Sequence, residues 1–387
     1  MGYRGGPGFL TAPNQLDVSN SNTPGVVDPT NPVVSNYYRP IAEIDASGEI
    51  TLTDGNAYSG NNGRAAIKAG SYYYMAGNDN NGGLSTSQLT KTQIGLNLIT
   101  STGAELLIPG QAPPFPPNIN ILGDFEVTQV GYTKGDKPGK DNNFRGLTVF
   151  NNTLFVTKGS GSNGINTVYQ VGNTCALPTP TDHASTPITI LPGFPTTLAS
   201  GVTQDGTAGH PVMFPFGIWF ANANTLYVCD EGDGVLVAPR TFNGQTNVAD
   251  DASLATAGLQ KWTLQDGTWR LAYILQDGLQ IGVPYSVANY PASLNPATGG
   301  CRNLTGRANG DGTVDLFAVT STLSQNGDQG ADPNKLVTVK DLLNASSLPA
   351  SNGGSDSHAW GHFQVLRSAQ AGEVLRGIAF SPSSGNN

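Results

Sequence analysis

The chain is poor in charge. Only 12% of its 387 residues are Asp, Glu, Lys or Arg. That excludes long surface helices, which rely on Glu–Lys pairs one turn apart. Positive charge is scarcer still. The net charge is −9 and the pI is near 4.8, and binding to nucleic-acid phosphates needs basic patches that such a chain lacks. No run of about 18 apolar residues occurs, so no helical membrane span is expected. The first residues, Met1-Gly2-Tyr3-Arg4-Gly5-Gly6-Pro7, lack the apolar core of a signal peptide. Cysteine is almost missing. Cys175, Cys229 and Cys301 are an odd count, which leaves at least one thiol free or paired between chains, and their spacing fits no zinc motif. Three unpaired thiols are the expectation. A Cys229–Cys301 disulfide is the alternative, since the first ends one predicted strand and the second opens another one unit later. G-x-S-x-G, Walker A, G-x-G-x-x-G and H-E-x-x-H are all missing.

What the chain has in quantity is turn punctuation. It holds 50 Gly and 26 Pro, about a fifth of all residues, with aromatics enough to pack a core. That suits many short strands joined by loops. Its wealth of Asn, Thr, Ser and Gly and its few lysines read as an extracellular or periplasmic protein.

A strand signature recurs. A first strand opens at Gly63-Arg64-Ala65-Ala66-Ile67, Phe144-Arg145-Gly146-Leu147, Phe216-Gly217-Ile218-Trp219, Cys301-Arg302-Asn303-Leu304 and Leu375-Arg376-Gly377-Ile378. Arginine fills its second position in all but the third. A second strand follows the first four: Tyr72–Met75, Thr153–Val156, Thr225–Val228 and Val314–Val319. Each second strand runs into a loop of Gly, Asn, Asp, Ser or Thr. Repeated β units of this kind predict an all-β fold, a β-propeller.

Residues 1–36 read as an irregular arm and 37–387 as a single propeller domain. A hairpin is expected over Tyr38–Asp45 and Glu49–Thr53 around Ala46-Ser47-Gly48. The next unit should run through Arg64–Ile67, Tyr72–Ala76, Gln93–Thr100 and Glu126–Tyr132. The following ones are Leu147–Phe150, Leu154–Thr157, Thr167–Val171 and Ile188–Leu191, then Ile218–Ala221, Leu226–Cys229, Gly258–Leu264 and Trp269–Leu275. Asp266-Gly267 is the turn joining the last two. The last full unit is Arg302–Gly306, Val314–Thr320, Lys335–Val339 and Phe363–Arg367. Leu375–Ser381 is then a first strand with no followers. Strands from the N-terminus (Met1–Tyr3 and the hairpin) would complete its blade and remove an exposed edge. This counts five blades. The markers at 64, 145, 216, 302 and 376 lie about 70–85 residues apart, whereas a blade needs only about 40–45, so six or seven blades are the alternatives.

Four stretches, Leu16–Pro32, Asn142–Leu147, Gly164–Val171 and Gly258–Trp262, carry a family resemblance that covers most of the chain. It resembles a group of uncharacterised secreted propeller-like proteins, mostly bacterial. The resemblance implies an extracellular β-propeller with no known activity, and relatives with further strands before the position of Met1.

In a propeller the first strands line a central channel. The loop entering the first strand and the loop leaving the second share one face. That places Arg64, Arg145, Arg302 and Arg376 at one channel mouth, with Asn78, Lys158, Asp230 and Glu231 beside them and His210 as an outlying candidate. Guanidiniums so gathered would bind a carboxylate, sulfate or phosphate bidentately. The bland reading is that each arginine only fixes its own loop, as repeated positions often do.

Asp230-Glu231-Gly232-Asp233 is the densest acidic stretch. Asp230 and Asp233 would be hard oxygen ligands for calcium, the one cofactor the sequence suggests. Asn309-Gly310-Asp311-Gly312 reads as a tight turn, because Arg307 stands where a calcium loop needs its first Asp. His358 and His362 have metal-ligand spacing but flank Trp-Gly ahead of a strand, which argues against a helix. Asn151-Asn152-Thr153 and Asn303-Leu304-Thr305 match the glycosylation sequon, as chance allows in a chain rich in Asn and Thr. Two functions follow. One is an extracellular binding or structural propeller for an anionic or polyhydroxyl (carbohydrate) ligand. The other is a secreted hydrolase or lyase acting on a carbohydrate or lactone, with calcium and these carboxylates.

Overall fold

The computed structural model describes residues 21–23, 38–55, 57–78, 96–100, 119–121, 143–159, 164–182, 186–199, 213–324, 329–349 and 360–381. The chain is all-β. Its strands are β1 Arg39–Ile44, β2 Ile50–Gly55, β3 Gly63–Ala69, β4 Tyr72–Gly77, β5 Leu96–Thr100, β6 Ile119–Ile121, β7 Phe144–Phe150, β8 Thr153–Lys158, β9 Thr167–Val171 and β10 Ile188–Ile190. After these come β11 Pro215–Asn222, β12 Thr225–Asp230, β13 Leu236–Phe242, β14 Gln245–Ala249, β15 Gly258–Gln265, β16 Thr268–Leu275, β17 Ala297–Ala308, β18 Thr313–Leu323, β19 Lys335–Leu342 and β20 Gln364–Ser368. One α-helix is found among the described residues, α1 Asp251–Thr256, and Asp250 caps it by accepting from the Ser253 N–H.

Four sheets have four strands each, ordered β3-β4-β5-β6, β7-β8-β9-β10, β11-β12-β15-β16 and β17-β18-β19-β20. Two hairpins, β1-β2 and β13-β14, stand apart. Paired strands run antiparallel, and each four-stranded sheet follows chain order. The tight turns follow from residue type. Asp266 and Gly267 both have positive φ, 49° and 74°, between β15 and β16. At the β1-β2 turn Gly48 has φ 86°, and the Asp45 carboxylate accepts from the Ser47 and Glu49 N–H groups. Asn309–Gly312 is likewise a turn: Asn309 N–H donates to the Thr313 carbonyl, and Asp311 accepts from the Thr313 N–H.

The first, second and third strands expected in the four full units reappear, most with longer bounds; Thr167–Val171 is unchanged, and the described part of Gln93–Thr100 is Leu96–Thr100. The fourth strand of the first sheet is Ile119–Ile121; the expected Glu126–Tyr132 lies outside the described residues, as does Met1–Tyr3. Leu375–Ser381 is a correction, because the segment forms no strand. Its Gly377 has φ 58°, a left-handed conformation that interrupts a pleat. The β13-β14 hairpin was missed. Its residues alternate poorly and leave most of β13 exposed.

The chain forms two compact units. One comprises residues 1–156, 169–189 and 381–387, the other residues 157–168 and 190–380. In the first, β3 lies beside β7, and Ile41, Ala57, Tyr58, Tyr73 and Met75 form a small core. Arg39 is buried there, and its guanidinium donates to the carbonyls of Ser21, Tyr58 and Asn61. In the second unit β11 lies beside β17. A Cβ on Gly217 would stand 2.4 Å from the Arg302 carbonyl, so this approach requires glycine. The core of this unit runs from Tyr227 and Leu259 to Leu316, Val337 and Phe363.

That core contains charge. Lys261 and Asp341 are fully buried, 3.3 Å apart. The Tyr227 and Tyr273 hydroxyls donate to Asp341 at 2.6 and 2.8 Å, and the Lys261 ammonium reaches the Tyr273 oxygen and the Leu342 carbonyl. Burial pulls the lysine pKa down while Asp341 pushes it back up, and both tyrosines are raised. Removing one partner of such a pair strands the other. Asp341→Asn is expected to cost about 3–5 kcal/mol by urea unfolding. Adding Lys261→Met to it should recover more than half, because the surviving amide oxygen still accepts from the tyrosines.

Candidate functional site

The second unit gathers several of the predicted residues where β12 ends. The Asp230 carboxylate accepts from the N–H groups of Phe214 and Gly232 at 3.0 and 2.9 Å and from the Gln260 amide at 3.0 Å. Gly232 and Gly234, both at φ 78°, turn the chain away. Glu231 is buried, and its Oε2 lies 3.1 Å from Arg302 Nε. Its carbonyl accepts from Ser321 Oγ. The Arg302 guanidinium stacks 4.4 Å from the centre of the Phe216 ring. Gly330 lies directly against it: a Cβ there would stand 1.6 Å from Arg302 Nη1. Arg376 Nη2 donates to the Gly330 carbonyl at 2.7 Å. Arg302 and Arg376 thus meet at one glycine, with Glu231 paired to Arg302. Arg302 and Glu231 face inward, and Arg376 is exposed.

Cys229 and Cys301, each one residue before Asp230 and Arg302, form a disulfide with Cα atoms 5.1 Å apart. This corrects the expectation of three unpaired thiols; Cys175 alone is free, and it is exposed. The bridge joins strands of two different sheets, so the Glu231–Arg302 pair is held by a covalent link one residue away. The backbone fits as closely: a Cβ on Gly300 would stand 2.3 Å from the Asp230 carbonyl.

The other predicted residues have their own partners. Lys158 is fully buried and donates to Asn166 Oδ1 at 2.9 Å. Its neighbour Thr157 donates to the Phe216 carbonyl. Arg64, Asn78 and Arg145 belong to the first unit. There the Arg64 guanidinium and the Asn78 N–H both reach the Asn62 carbonyl, at 3.4 and 3.0 Å, and Arg145 is buried. Asp233 does not share donors with Asp230. It accepts from Ser253 Oγ and the Val235 N–H, and it lies beside Asp250, whose carboxyl is pushed up to about 6 by burial and by this neighbour. Among the described residues no group of three or more His, Cys, Asp or Glu side chains is gathered as a metal site. His362 bonds Asp277 at 2.8 Å, while His210 and His358 lie outside the described residues. No described helix is long and apolar enough to cross a membrane, which leaves strands unaddressed.

The buried Lys261–Asp341 group escaped the sequence reading. A signal was present: alternation puts Lys261 on the inward side with Leu259, and Asp341 with Val337 and Val339.

No protein-family model matches this chain, and no curated protein matches it.

Burial pushes the Asp230 carboxyl up to about 7, with Glu231 and Asp233 adding to the rise and its backbone donors opposing it. The folded form therefore holds a proton that the unfolded chain releases near 4. The stabilisation is complete below pH 4 and is lost as pH rises through about 7. Its upper bound is on the order of 4 kcal/mol. Urea unfolding between pH 4.5 and 8 should show this decline in the wild type. Asp230→Asn, whose amide oxygen keeps an acceptor, should flatten it; an unchanged slope would mean that another group titrates.

Proposed function

We propose that this chain is an extracellular β-propeller acting as a binding protein. Its ligand face is the end of the sheets where Arg302, Arg376, Asp230 and Glu231 gather. The serial meanders support the fold part of this reading: the four four-stranded sheets would be four blades. The buried disulfide supports an oxidising compartment, where such bridges persist. The ligand is anionic, or polyhydroxyl with acidic groups.

One observation carries the ligand reading. Arg376 presents an exposed guanidinium close to that of Arg302, and it donates to the carbonyl of Gly330, the glycine that Arg302 also lies against. In an acidic chain a local cation focuses field toward an anion, and arginine keeps its charge across physiological pH. Arg302 plays the supporting part, since Glu231 already engages it.

The alternative, a hydrolase or lyase acting on a sugar or lactone, has Asp230 in its favour. A carboxyl held near neutrality suits acid–base work. But Asp230 has no accessible surface, so a substrate would first have to open the β12 end.

Replacing Arg376 with Gln is expected to weaken binding of an oligogalacturonate about tenfold or more, the worth of one charge-assisted hydrogen bond. Binding of a neutral galacto-oligosaccharide should change little. Equal losses for both sugars, or none for either, would assign Arg376 to holding the Gly330 loop alone.

A further inference from the structure

The segment after β20 has the sequence of a first strand and none of its pairing. Leu375-Arg376-Gly377-Ile378 matches Phe144-Arg145-Gly146-Leu147 in β7, where Gly146 sits within a strand. The segment is held in place by side chains. The Asn334 amide clasps Leu375 from both sides, its Oδ1 accepting the N–H at 2.7 Å and its Nδ2 donating to the C=O at 3.0 Å. Arg376 reaches the Gly330 carbonyl. The Phe380 ring meets Phe317 of β18 edge-on at 5.6 Å. Beyond these anchors, residues 377–380 make no backbone hydrogen bond among the described residues, and Phe380 is 49% exposed. Unpaired peptide groups between apolar side chains make a template for another strand.

We infer that Gly377–Phe380 is a strand-accepting edge, and that its partner is an extended apolar strand with the Thr-Leu-aromatic-Val pattern. The inference rests on the blade reading above and is independent of the anionic ligand. The partner's chemistry follows from continuity with interfaces already present. β7 is paired by Thr153-Leu154-Phe155-Val156 and β11 by Thr225-Leu226-Tyr227-Val228. The edge of the tail extends the same first-strand series and takes the same kind of neighbour. Main-chain hydrogen bonds supply the attraction, and the alternating Leu and aromatic side chains supply selectivity. Gly377 changes on pairing. Its left-handed φ of 58° breaks the pleat, and the partner straightens it to the strand form that Gly146 holds in β7.

The test uses the full chain and a fluorescein-labelled synthetic peptide copying Asn152–Lys158, followed by fluorescence anisotropy. Saturable binding of this peptide, but not of a scrambled one of equal composition, is expected. Gly377→Ala should tighten it about fivefold, because alanine disfavours the left-handed state that competes with pairing. Ala379→Pro should abolish it by removing a backbone donor. If that variant melts early, Phe380→Ala is measured instead and should weaken binding. The inference is overturned if neither the wild type nor Gly377→Ala binds, as when the edge already has a partner, or if Ala379→Pro and Phe380→Ala bind as the wild type does. Oligogalacturonate binding is read on the same samples. Loss of peptide binding with sugar binding intact removes only the strand edge; the reverse removes only the ligand reading.

Discussion

A buried charge must have a partner, and that constraint organises this molecule. The chain has few charges, yet it buries Arg39, Arg145, Lys158, Asp230, Glu231, Lys261, Arg302, Asp332 and Asp341. Removing an ion from water costs several kcal/mol even after relaxation, so each needs opposite charge or dipoles at close range. Where the partners are described, they come from specific places in the chain. Arg39 takes three carbonyls from Ser21 and the turn at Tyr58–Asn61. Glu231 is paired with Arg302 from another sheet, and Asp341 receives two tyrosines and a lysine. A register slip in any of these strands would leave an ion alone in a low-dielectric interior. These groups therefore select one arrangement among the many that apolar strands alone would permit.

The same constraint explains what the sequence could and could not show. Strands were legible because period-two alternation and turn chemistry act locally. Asp266-Gly267 and the Asp45–Gly48 turn fold as their residue types require. The recurrent arginine was legible as a position but not as a role. Sequence spacing cannot tell a guanidinium aimed at solvent from one aimed at a carbonyl, since the partner lies tens of residues away. Arg302 is closed in by Glu231 and Gly330, while Arg376 is exposed and donates to the Gly330 carbonyl. Leu375–Ser381 was misread as a strand because its local pattern is that of one. A strand also requires a ladder, which no local pattern can provide.

The disulfide and the glycines do for the backbone what ion pairs do for side chains. Cys229–Cys301 joins the strands that carry Asp230 and Arg302, closing a separation of 72 residues. Chain-entropy arguments assign such a closure about 4 kcal/mol, an upper figure where the native state is strained. Gly217, Gly300 and Gly330 then let backbone approach backbone or guanidinium at distances no side chain would allow. The two devices depend on each other. The bridge holds β12 and β17 together, and the glycines make their close approach free of clashes. A substitution at Gly330 would therefore act through Arg302, displacing the guanidinium from Phe216 and Glu231 together.

Position in the fold decides which carboxyl is chemically poised. Asp230 and Asp233 are three residues apart and belong to one acidic stretch, but their environments separate them. Asp230 is enclosed, and its burial outweighs three hydrogen-bond donors, so its proton is retained near neutrality. Asp233 lies nearer the surface, beside Asp250, whose carboxyl is raised chiefly by burial. An acid-sensitive group at the centre of the β12 end, next to the Glu231–Arg302 pair, links protonation to that pair. When Asp230 ionises, a negative charge appears beside Glu231, the neighbour that helps to raise the Asp230 pKa.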